Sequence, residues 1–263
     1  MKKPFTTKLL ILYVLLALSF TACKDDDDDN VDPITGANTC QLVKETYVGD
    51  DDYTEYEYNA QGYVTKIIFK EVGSSVANDY ALLSYNTNNQ IVKMEYYEGG
   101  QKEDYYTFEY TNDLLTTLKD YDEQGDLNSV TTYKYDSNKR MIEKGTDEDT
   151  HKYTYDSRNN VSKVERVYLG AIIYRETYEN YDDKISPAAS VKGFPSFLSG
   201  ASQNNPDKRV TYYDLNQDGI LQATEVESTF TYTYKYNDQG YTTEVKEISG
   251  SNTETITYNY NCK

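Results

Sequence analysis

The sequence contains no tryptophan and a single histidine, His151. A catalytic triad or a histidine-rich metal centre would depend on that one residue, and its position after a polar turn favours the start of a strand instead. The chain also lacks a Gly-x-Ser-x-Gly elbow and a glycine-rich loop that could cradle phosphate. Carboxylate pairs for hydrolysis stay an open alternative, since Asp and Glu are too abundant to single out any pair. A non-enzymatic protein without catalytic residues is therefore the prediction.

Positive charge is scarce, with 26 Lys and Arg residues against 44 Asp and Glu residues and a net charge of -18. Nucleic acid binding needs a clustered positive face, so nucleic acid is excluded as a partner. Anionic lipid headgroups would repel the protein as well. Attachment to a membrane therefore requires a covalent lipid or a spanning segment.

Long apolar runs are also missing. The run from Leu9 to Phe20 has roughly a dozen residues, whereas a membrane-spanning helix needs about 18 or more. The basic start before it and the small residues after it predict a signal peptide over residues 1–22. The segment resembles a lipobox, with Phe20 where leucine is more common, and this resemblance implies cleavage before Cys23 and attachment of lipid to that cysteine. An ordinary secretory peptide followed by a chance cysteine is the alternative.

Residues 23–39 contain an acidic run from Asp25 to Asp29. Like charges in a row do not fold, so the stretch is predicted to be a solvated tether. Its position behind Cys23 resembles the surface-export signal of Bacteroidetes lipoproteins. That resemblance implies a lipid-anchored protein of the outer membrane that faces the cell exterior, and a simple spacer is the alternative.

The range from residue 40 to residue 263 repeats one unit, which consists of Tyr-x-Tyr-Asn/Asp, two residues that are often Gly or Asn, and an alternating apolar strand. Clear copies start at Tyr56, Tyr133, Tyr153 and Tyr234. Each Asn/Asp cluster predicts a tight turn, and a second set of turns lies midway between these clusters. We therefore expect a single all-β domain of roughly sixteen antiparallel strands, each about five to nine residues long.

An open sheet of that width would leave two exposed edges, so an up-and-down barrel or a strongly curled meander is expected. Cys40 opens the first strand and Cys262 ends the last, and an even number of strands brings both thiols to one end, where an exported compartment permits a disulfide. On the even strands one face carries tyrosines and the other carries charges such as Glu57, Lys134 and Lys235. Such charges are costly in lipid, so the outer wall is expected to face water.

The Tyr-Asn/Asp-x-x-Gly units resemble YD repeats of the RHS type. Together with the lipobox and an interrupting segment at Asn204-Asn205-Pro206, they resemble the Bacteroides lipoproteins of the DUF4595 family over most of the range from Cys40 to Cys262. The resemblance implies a porin-like fold. The function of that family is unassigned, so the resemblance implies no activity.

One loop matches the twelve-position calcium-binding pattern from its first residue, Asp214, to its last, Glu225. Asn216 and Asp218 supply oxygens at positions three and five, and Ile220 would supply its backbone carbonyl. The pattern predicts a structural calcium site. Because the flanking sequences are typical of strands and not of the helices of an EF-hand, an ordinary repeat turn is the alternative.

Two further features leave alternatives open. The tyrosine rings are expected to form a structural ladder across strands, although aromatic faces also bind sugar rings. Residues 182–207 interrupt the repeat, and they either plug the barrel mouth at the end with the cysteines or pack on the surface.

These patterns predict a surface-exposed outer-membrane lipoprotein that acts as a non-enzymatic binding or structural module, with an extracellular ligand such as a glycan as the expected partner. The alternative is a carboxylate-dependent hydrolase of an extracellular polymer. A tyrosine-lined cavity would favour binding, whereas two acidic side chains that face each other in a cleft would favour hydrolysis.

Overall fold

The computed structural model describes residues 40–49, 52–71, 78–193, 202–214 and 220–262, and the predicted signal peptide, Cys23 and the tether lie outside this range. The described residues form sixteen strands and a short 3-10 helix, Ala188–Ser190. In chain order the strands are β1 (Cys40–Tyr47), β2 (Tyr53–Tyr58), β3 (Val64–Lys70), β4 (Asp79–Tyr85), β5 (Ile91–Glu98), β6 (Gln101–Thr111), β7 (Leu114–Tyr121), β8 (Leu127–Tyr135), β9 (Met141–Gly145), β10 (Asp149–Tyr155), β11 (Val161–Tyr168), β12 (Ala171–Tyr181), β13 (Pro206–Tyr213), β14 (Val226–Tyr236), β15 (Thr242–Ser249) and β16 (Asn252–Cys262). Within this described part, no helix has the length and apolar character needed to cross a membrane.

The strands close into one antiparallel barrel in which each strand pairs with its neighbours in the sequence and β1 pairs with β16. Cys40 lies directly opposite Cys262 in this last pair, and the two residues form a disulfide. The predicted all-β, up-and-down barrel and the predicted disulfide are therefore confirmed. Closure removes both free sheet edges, which is the physical reason for expecting it.

Some strands are longer than the sequence suggested. β6, β12, β14 and β16 each have eleven residues. All of them except β14 follow a two-residue turn, and pairing continues up to that turn, as in the pair Glu98 and Gln101 and the pair Ser249 and Asn252. A two-residue turn adds no unpaired residues, so the ladder runs to the tip of the hairpin.

The barrel has two distinct ends. The cysteine end carries the disulfide and the turns of the Tyr-x-Tyr-Asn/Asp repeats, and the opposite end, called the charged end below, carries the second set of turns. At the cysteine end the side chain of Asn59 accepts hydrogen bonds from the backbone N–H groups of Gln61 and Tyr63, at 3.1 and 2.9 Å. The same pattern recurs at Asn86, Asp136, Asp156 and Asn237. This repeated bond explains why the motif requires Asn or Asp after its second tyrosine.

A tyrosine of the repeat holds two strands together where they diverge; it is usually the second tyrosine of its unit, and on β14 it is the first, Tyr234. Pairing between β1 and β2 stops at Lys44 and Glu55, and beyond it the hydroxyl of Tyr58 donates a 2.5 Å hydrogen bond to the carbonyl oxygen of Leu42. Equivalent bonds join Tyr85 to Val64, Tyr110 to Ile91, Tyr155 to Met141, Tyr181 to Val161, Tyr234 to Pro206 and Tyr260 to Thr242. We call this set the tyrosine clamp. It supplies a donor to carbonyl groups that lie past the last strand pair.

Apolar and tyrosine side chains fill the interior towards the cysteine end. The largest fully buried apolar side chains are those of Leu42, Val64, Leu115 and Val161. The first tyrosine of the repeat packs with them, for example Tyr133 and Tyr153. Barrels with sixteen strands commonly enclose an aqueous channel, whereas at this level the core consists of packed side chains.

The outer wall alternates with this core and is polar. Lys119 pairs with Glu109, Lys134 with Glu143 and Lys235 with Glu244, at N–O distances between 2.5 and 2.9 Å. Tyrosines on this wall stack on each other, and the rings of Tyr80 and Tyr97 lie 4.6 Å apart with the amine of Lys66 4.6 Å from the centre of the Tyr80 ring. The predicted cross-strand ladder is thus present on the outer wall, where neighbouring rings and lysines occupy the ring faces.

The interrupting segment crosses the cysteine end. The carbonyl of Ile185 accepts from Thr242 on β15, the carbonyl of Lys192 accepts from Val64 on β3, and the hydroxyl of Ser202 accepts from Val161 on β11. These three strands lie on different sides of the barrel, so the described residues 182–193 and 202–205 span its mouth. This arrangement agrees with a plug and not with a surface excursion, and residues 194–200, which carry its phenylalanines, lie outside the described range.

Candidate functional site

Ionisable side chains line the inside of the barrel between the apolar core and the charged end. Strand register places them on the inner face. Arg166 and His151 lie two residues from the buried Val164 and Tyr153 on their own strands. The other members lie opposite inner-face residues of a neighbouring strand, as Lys144 lies opposite His151 and Glu176 opposite Val164. We call this set the luminal cluster, and it consists of Lys144, Asp149, His151, Arg166, Glu176, Arg209 and Glu247.

Arg209 occupies the centre of the cluster on β13. Its guanidinium lies 3.7 Å from a carboxylate oxygen of Glu176 and 3.5 Å from one of Glu247, and its carbon lies 4.1 Å from the centre of the Phe230 ring. Its buried Nε has no hydrogen-bond partner among the described residues. The two ion pairs are longer than ordinary hydrogen bonds, so the guanidinium is held by charge and by stacking.

Glu176 is held by more than Arg209. The hydroxyls of Tyr174 and Tyr178 donate hydrogen bonds of 2.7 and 2.5 Å to its two carboxylate oxygens. These two hydrogen bonds fix the position of the carboxylate, which suits a structural ion pair.

Burial lowers the pKa values of two bases of the cluster, Lys144 and His151, which lie opposite each other on β9 and β10. Burial lowers the pKa of Lys144 to about 8. Burial, together with the positive charge of Lys144, lowers the pKa of His151 to about 4. His151 is therefore a neutral, inward-facing residue at pH 7, two positions inside β10, whereas the sequence suggested a residue at the start of a strand.

Asp149 and Arg166 form the part of the cluster nearest the charged end. Nε of Arg166 donates to both carboxylate oxygens of Asp149, at 2.9 and 3.1 Å, and the side chains are 31% and 43% exposed, with Arg166 the more exposed. The hydrogen bond from Arg166 lowers the pKa of Asp149 below its ordinary value, against the opposing effect of partial burial. The pair is therefore a preformed ion pair that solvent reaches.

A different acid, Glu45 on β1, is completely buried. Burial raises its pKa to about 7, although the hydroxyl of Tyr56 donates to it at 3.2 Å and Tyr47 also bonds it. Glu45 thus lies among tyrosines, next to the pair of strands β1 and β16 that closes the barrel. Because its side chain is buried, the carboxyl group with the raised pKa is not in contact with bulk solvent.

Exposed tyrosines occur at a single place in the described part of the chain. Tyr168 and Tyr213 are 44% and 43% exposed, whereas every other described tyrosine is buried or half-buried. Both lie at the charged end, on the inner face: Tyr168 pairs with Asp149, and Tyr213 pairs with Tyr174. Tyr168 lies next to the Asp149–Arg166 pair, and Tyr213 lies level with Arg166 on the other side of Tyr174.

The calcium-loop residues are only partly within the described range. Asp214 and Glu225, the first and last positions, are both buried, and the backbone N–H of Tyr213 donates to the carbonyl of Glu225 at 3.2 Å, so the two ends of the loop meet. Ile220 is exposed, and Asn216 and Asp218 lie outside the described residues. Among the residues that are described, no group of three or more His, Cys, Asp and Glu side chains is arranged to hold a metal ion.

A small cavity lies between the covering segment and the barrel wall. Tyrosine and apolar side chains dominate its lining, which consists of Tyr178, Tyr181, Ser186, Pro187, Asn204, Asn205, Pro206, Tyr232, Tyr234, Val245 and Tyr258. A tyrosine-lined cavity is the arrangement that favours binding over hydrolysis. Its free space, however, suits about one or two water molecules, so a larger ligand would have to bind elsewhere.

The sequence located the disulfide but not the luminal cluster or the exposed tyrosines. The signal for the cluster was present, since Arg166, Glu176 and Arg209 carry charge at positions whose parity belongs to the core face. Which of these charged side chains contact each other depends on the pairing of strands that are distant in the sequence. The sequence pattern does not give that pairing residue by residue.

Comparison with solved structures finds a similar barrel in a porin-like protein from Bacteroides uniformis ATCC 8492, with a TM-score of 0.57 and 12% identity over 86% of this chain and 96% of that chain. A porin-like protein from Bacteroides vulgatus ATCC 8482 has a TM-score of 0.41 and 11% identity over 84% and 98% of the two chains. Neither a family model nor a curated protein sequence matches the chain. The first structure supports the porin-like fold, and the kinship with YD repeats and with the DUF4595 family stays a prediction.

Proposed function

We propose that the protein is a lipid-anchored outer-membrane protein that faces the cell exterior and binds an extracellular glycan with its charged end, without catalysing a reaction. The observation that carries this proposal is the difference between the two ends of the barrel. The cysteine end, next to the predicted tether, is filled and covered, whereas the charged end presents polar and aromatic side chains to solvent.

The outer wall supports a barrel that stands in water beside the membrane. Its ion pairs lie in the middle of strands, for example Lys119 with Glu109 and Lys235 with Glu244. Charged residues on the lipid face of a membrane barrel cost about 2 to 4 kcal/mol each at the midplane. With lipid attached at Cys23 and the chain entering at Cys40, the charged end would point away from the membrane.

Binding is favoured over hydrolysis by the way in which the inner carboxylates are held. Asp149 is bonded by Arg166, and Glu176 by two tyrosines. Glu45, whose raised pKa would suit a general acid, is completely buried among tyrosines. A glycoside hydrolase needs two carboxyl groups that both reach the substrate.

The location is tested by protease shaving of intact cells. Surface exposure predicts that the protein is degraded before the envelope is broken, while a periplasmic control protein survives. Survival of this protein until lysis would contradict the outward orientation, and a Cys23→Ala variant that stays in the membrane fraction would contradict the lipid anchor.

The function is tested with the full lipidated protein in detergent on an array of neutral and acidic oligosaccharides, together with a conductance measurement in planar bilayers. The proposal expects retention of at least one class of oligosaccharide, no release of reducing ends from it, and no conductance. Steady hydrolysis of a bound oligosaccharide would favour the hydrolase instead, and stepwise ion conductance would favour a pore.

We also propose a structural calcium ion in the loop from Asp214 to Glu225. The backbone contact between Tyr213 and Glu225 brings the two ends of the loop together, and Asp214 and Glu225 are both buried there. This supports the proposal, because the first and twelfth ligands of such a loop bind the same ion. Calorimetry with calcium should show binding heat and a higher melting temperature in the wild type and neither in Glu225→Gln. A flat titration of the wild type would sink the proposal.

A further inference from the structure

We infer that Tyr168, Tyr213 and the Asp149–Arg166 pair form a cradle for a neutral oligosaccharide on the inner rim of the charged end. The inference rests on the proposed glycan binding and assigns it to specific residues and to a class of sugar. It begins from the contrast between these two tyrosines and all others that are described, because only these two leave more than a third of their surface in solvent.

The exposure of Tyr168 and Tyr213 needs an explanation, because every other described tyrosine of the barrel is buried or half-buried. The stacked pair Tyr80 and Tyr97 shows how the outer wall covers a ring, with a neighbouring ring on one face and a lysine on the other. Neither Tyr168 nor Tyr213 has a ring or cation partner of this kind among the described residues. Their ring faces are therefore available to the C–H groups of a sugar, which are attracted to the negative face of an aromatic ring.

The register sets the geometry of the cradle. Tyr168 is on β11 and Tyr213 is on β13, and pairing through Tyr174 places Tyr213 level with Arg166, two residues along β11 from Tyr168. Two strand spacings and two residues along the strand give a separation of about 12 Å. Both point to the inner face, as their pairing with Asp149 and Tyr174 requires. A separation of this size is spanned by an oligosaccharide and not by one sugar ring.

The polar pair supplies the hydrogen bonds. Arg166 lies two residues before Tyr168 on the same face, and Asp149 lies opposite Tyr168. Arg166 holds the Asp149 carboxylate in place with hydrogen bonds from its Nε, and a carboxylate has about four acceptor sites, so it can accept further bonds. Neighbouring sugar hydroxyls can donate to this carboxylate while the sugar rings lie against the tyrosines.

Charge favours a neutral sugar. Arg166 is neutralised by Asp149, and His151 below them is uncharged at pH 7 because burial lowers its pKa to about 4. Arg209, deeper in the barrel, is shared by two glutamates. With a net charge of -18 on the whole chain, a polyanionic glycan would be repelled over a long range.

The test uses the full lipidated protein in detergent and two sets of probes, neutral gluco-, manno-, galacto- and xylo-oligosaccharides and the corresponding uronic-acid oligosaccharides. Affinity is measured by calorimetry for each probe that the wild type retains. Tyr168→Ala and Tyr213→Ala should each weaken binding of a neutral oligosaccharide about fivefold to tenfold, which corresponds to about 1 to 1.4 kcal/mol for a stacked aromatic ring. Tyr168→Phe and Tyr213→Phe should retain binding, because they keep the ring.

Leu169→Asn is the matched control, since Leu169 is an exposed neighbour of Tyr168 at the hairpin tip and lies outside the cradle. It should leave sugar affinity unchanged, and an equal loss in this variant would overturn the cradle by assigning the effect to the shape of the tip. Sugar binding that survives both alanine substitutions would overturn the cradle while the proposed function stands. Binding of no probe by the wild type would remove both, and a preference for uronic-acid probes would overturn the neutral ligand class.

Discussion

The hydroxyl of Tyr58 donates a hydrogen bond to the carbonyl oxygen of Leu42, and this contact recurs around the cysteine end as the tyrosine clamp. In each case the acceptor is a carbonyl that lies beyond the last pair of two diverging strands. The clamp explains the second tyrosine of most units by a backbone requirement, while the first tyrosine of these units fills the core.

Removing one clamp hydroxyl should destabilise the barrel. Tyr155→Phe deletes the bond to the carbonyl of Met141 and leaves the ring in place, so the free energy of unfolding is expected to fall by about 1 to 2 kcal/mol in urea titrations. Tyr80→Phe is the control, because the Tyr80 hydroxyl makes no hydrogen bond to the described residues and its ring lies on the outer wall. Equal stability of the two variants would argue against the clamp.

Glu45 should make stability depend on pH near neutrality. Its carboxyl has an ordinary pKa of 4.5 and a folded pKa raised to about 7 by burial, so the folded state keeps a proton that the unfolded chain loses. The free energy of unfolding should therefore fall as the pH rises from about 4.5 to about 7, by at most about 3 kcal/mol.

Glu45→Gln removes this titration and keeps a hydrogen-bonding side chain. The variant is expected to lack the decrease, whereas Glu57→Gln on the exposed outer wall should retain it. Thermal unfolding of the three proteins between pH 4.5 and pH 8.5 makes the comparison. Parallel curves for wild type and Glu45→Gln would show that another group is responsible.

Arg209 should be far more important for stability than a lysine on the outer wall. Arg209→Leu leaves the half-buried Glu176 and Glu247, whose side chains are 15% and 27% exposed, without their shared counter-ion. The cost should approach that of a broken buried pair, about 3 to 5 kcal/mol. Lys235→Leu breaks an ion pair with Glu244 in which the lysine is 67% exposed, and should cost less than about 1 kcal/mol. Denaturant titration measures both, and similar losses would mean that the luminal cluster is well hydrated.

Leu169 occupies a turn position that suits other residues. Its φ of 49° is left-handed, and the side chain is 67% exposed, whereas Gly99 and Asn112 occupy comparable positive-φ turn positions elsewhere. Leu169→Asn should raise the free energy of unfolding by about 0.5 to 1 kcal/mol, because Asn tolerates this conformation. Leu169→Ala, which keeps the strained backbone, should not gain stability; a gain in both would point to apolar exposure as the cause.

The sequence predicted the barrel because its information is local and repeated. Asn59 and its equivalents fix the turns, the alternation of tyrosine with charge fixes which face is inner, and an even number of strands places Cys40 beside Cys262. The interrupting segment could be recognised as an exception but not oriented, since its partners Val64, Val161 and Thr242 come from three separate strands.

The repeat pattern did not predict the residues of the candidate site, for the same reason. Tyr168 and Tyr213 have the residue type of the repeat, and only their depth in the closed barrel separates them from the buried tyrosines. The sequence shows that Arg209, Glu176 and Glu247 are charged, but it is the pairing of β12, β13, β14 and β15 that brings these side chains together. Turn chemistry and alternation act over a few residues, so the sequence by itself determined the strands, their inner and outer faces, and the closure of the barrel. Burial and ion pairing depend on which distant strands become neighbours, so only the tertiary structure decided which side chains are exposed and which charges pair.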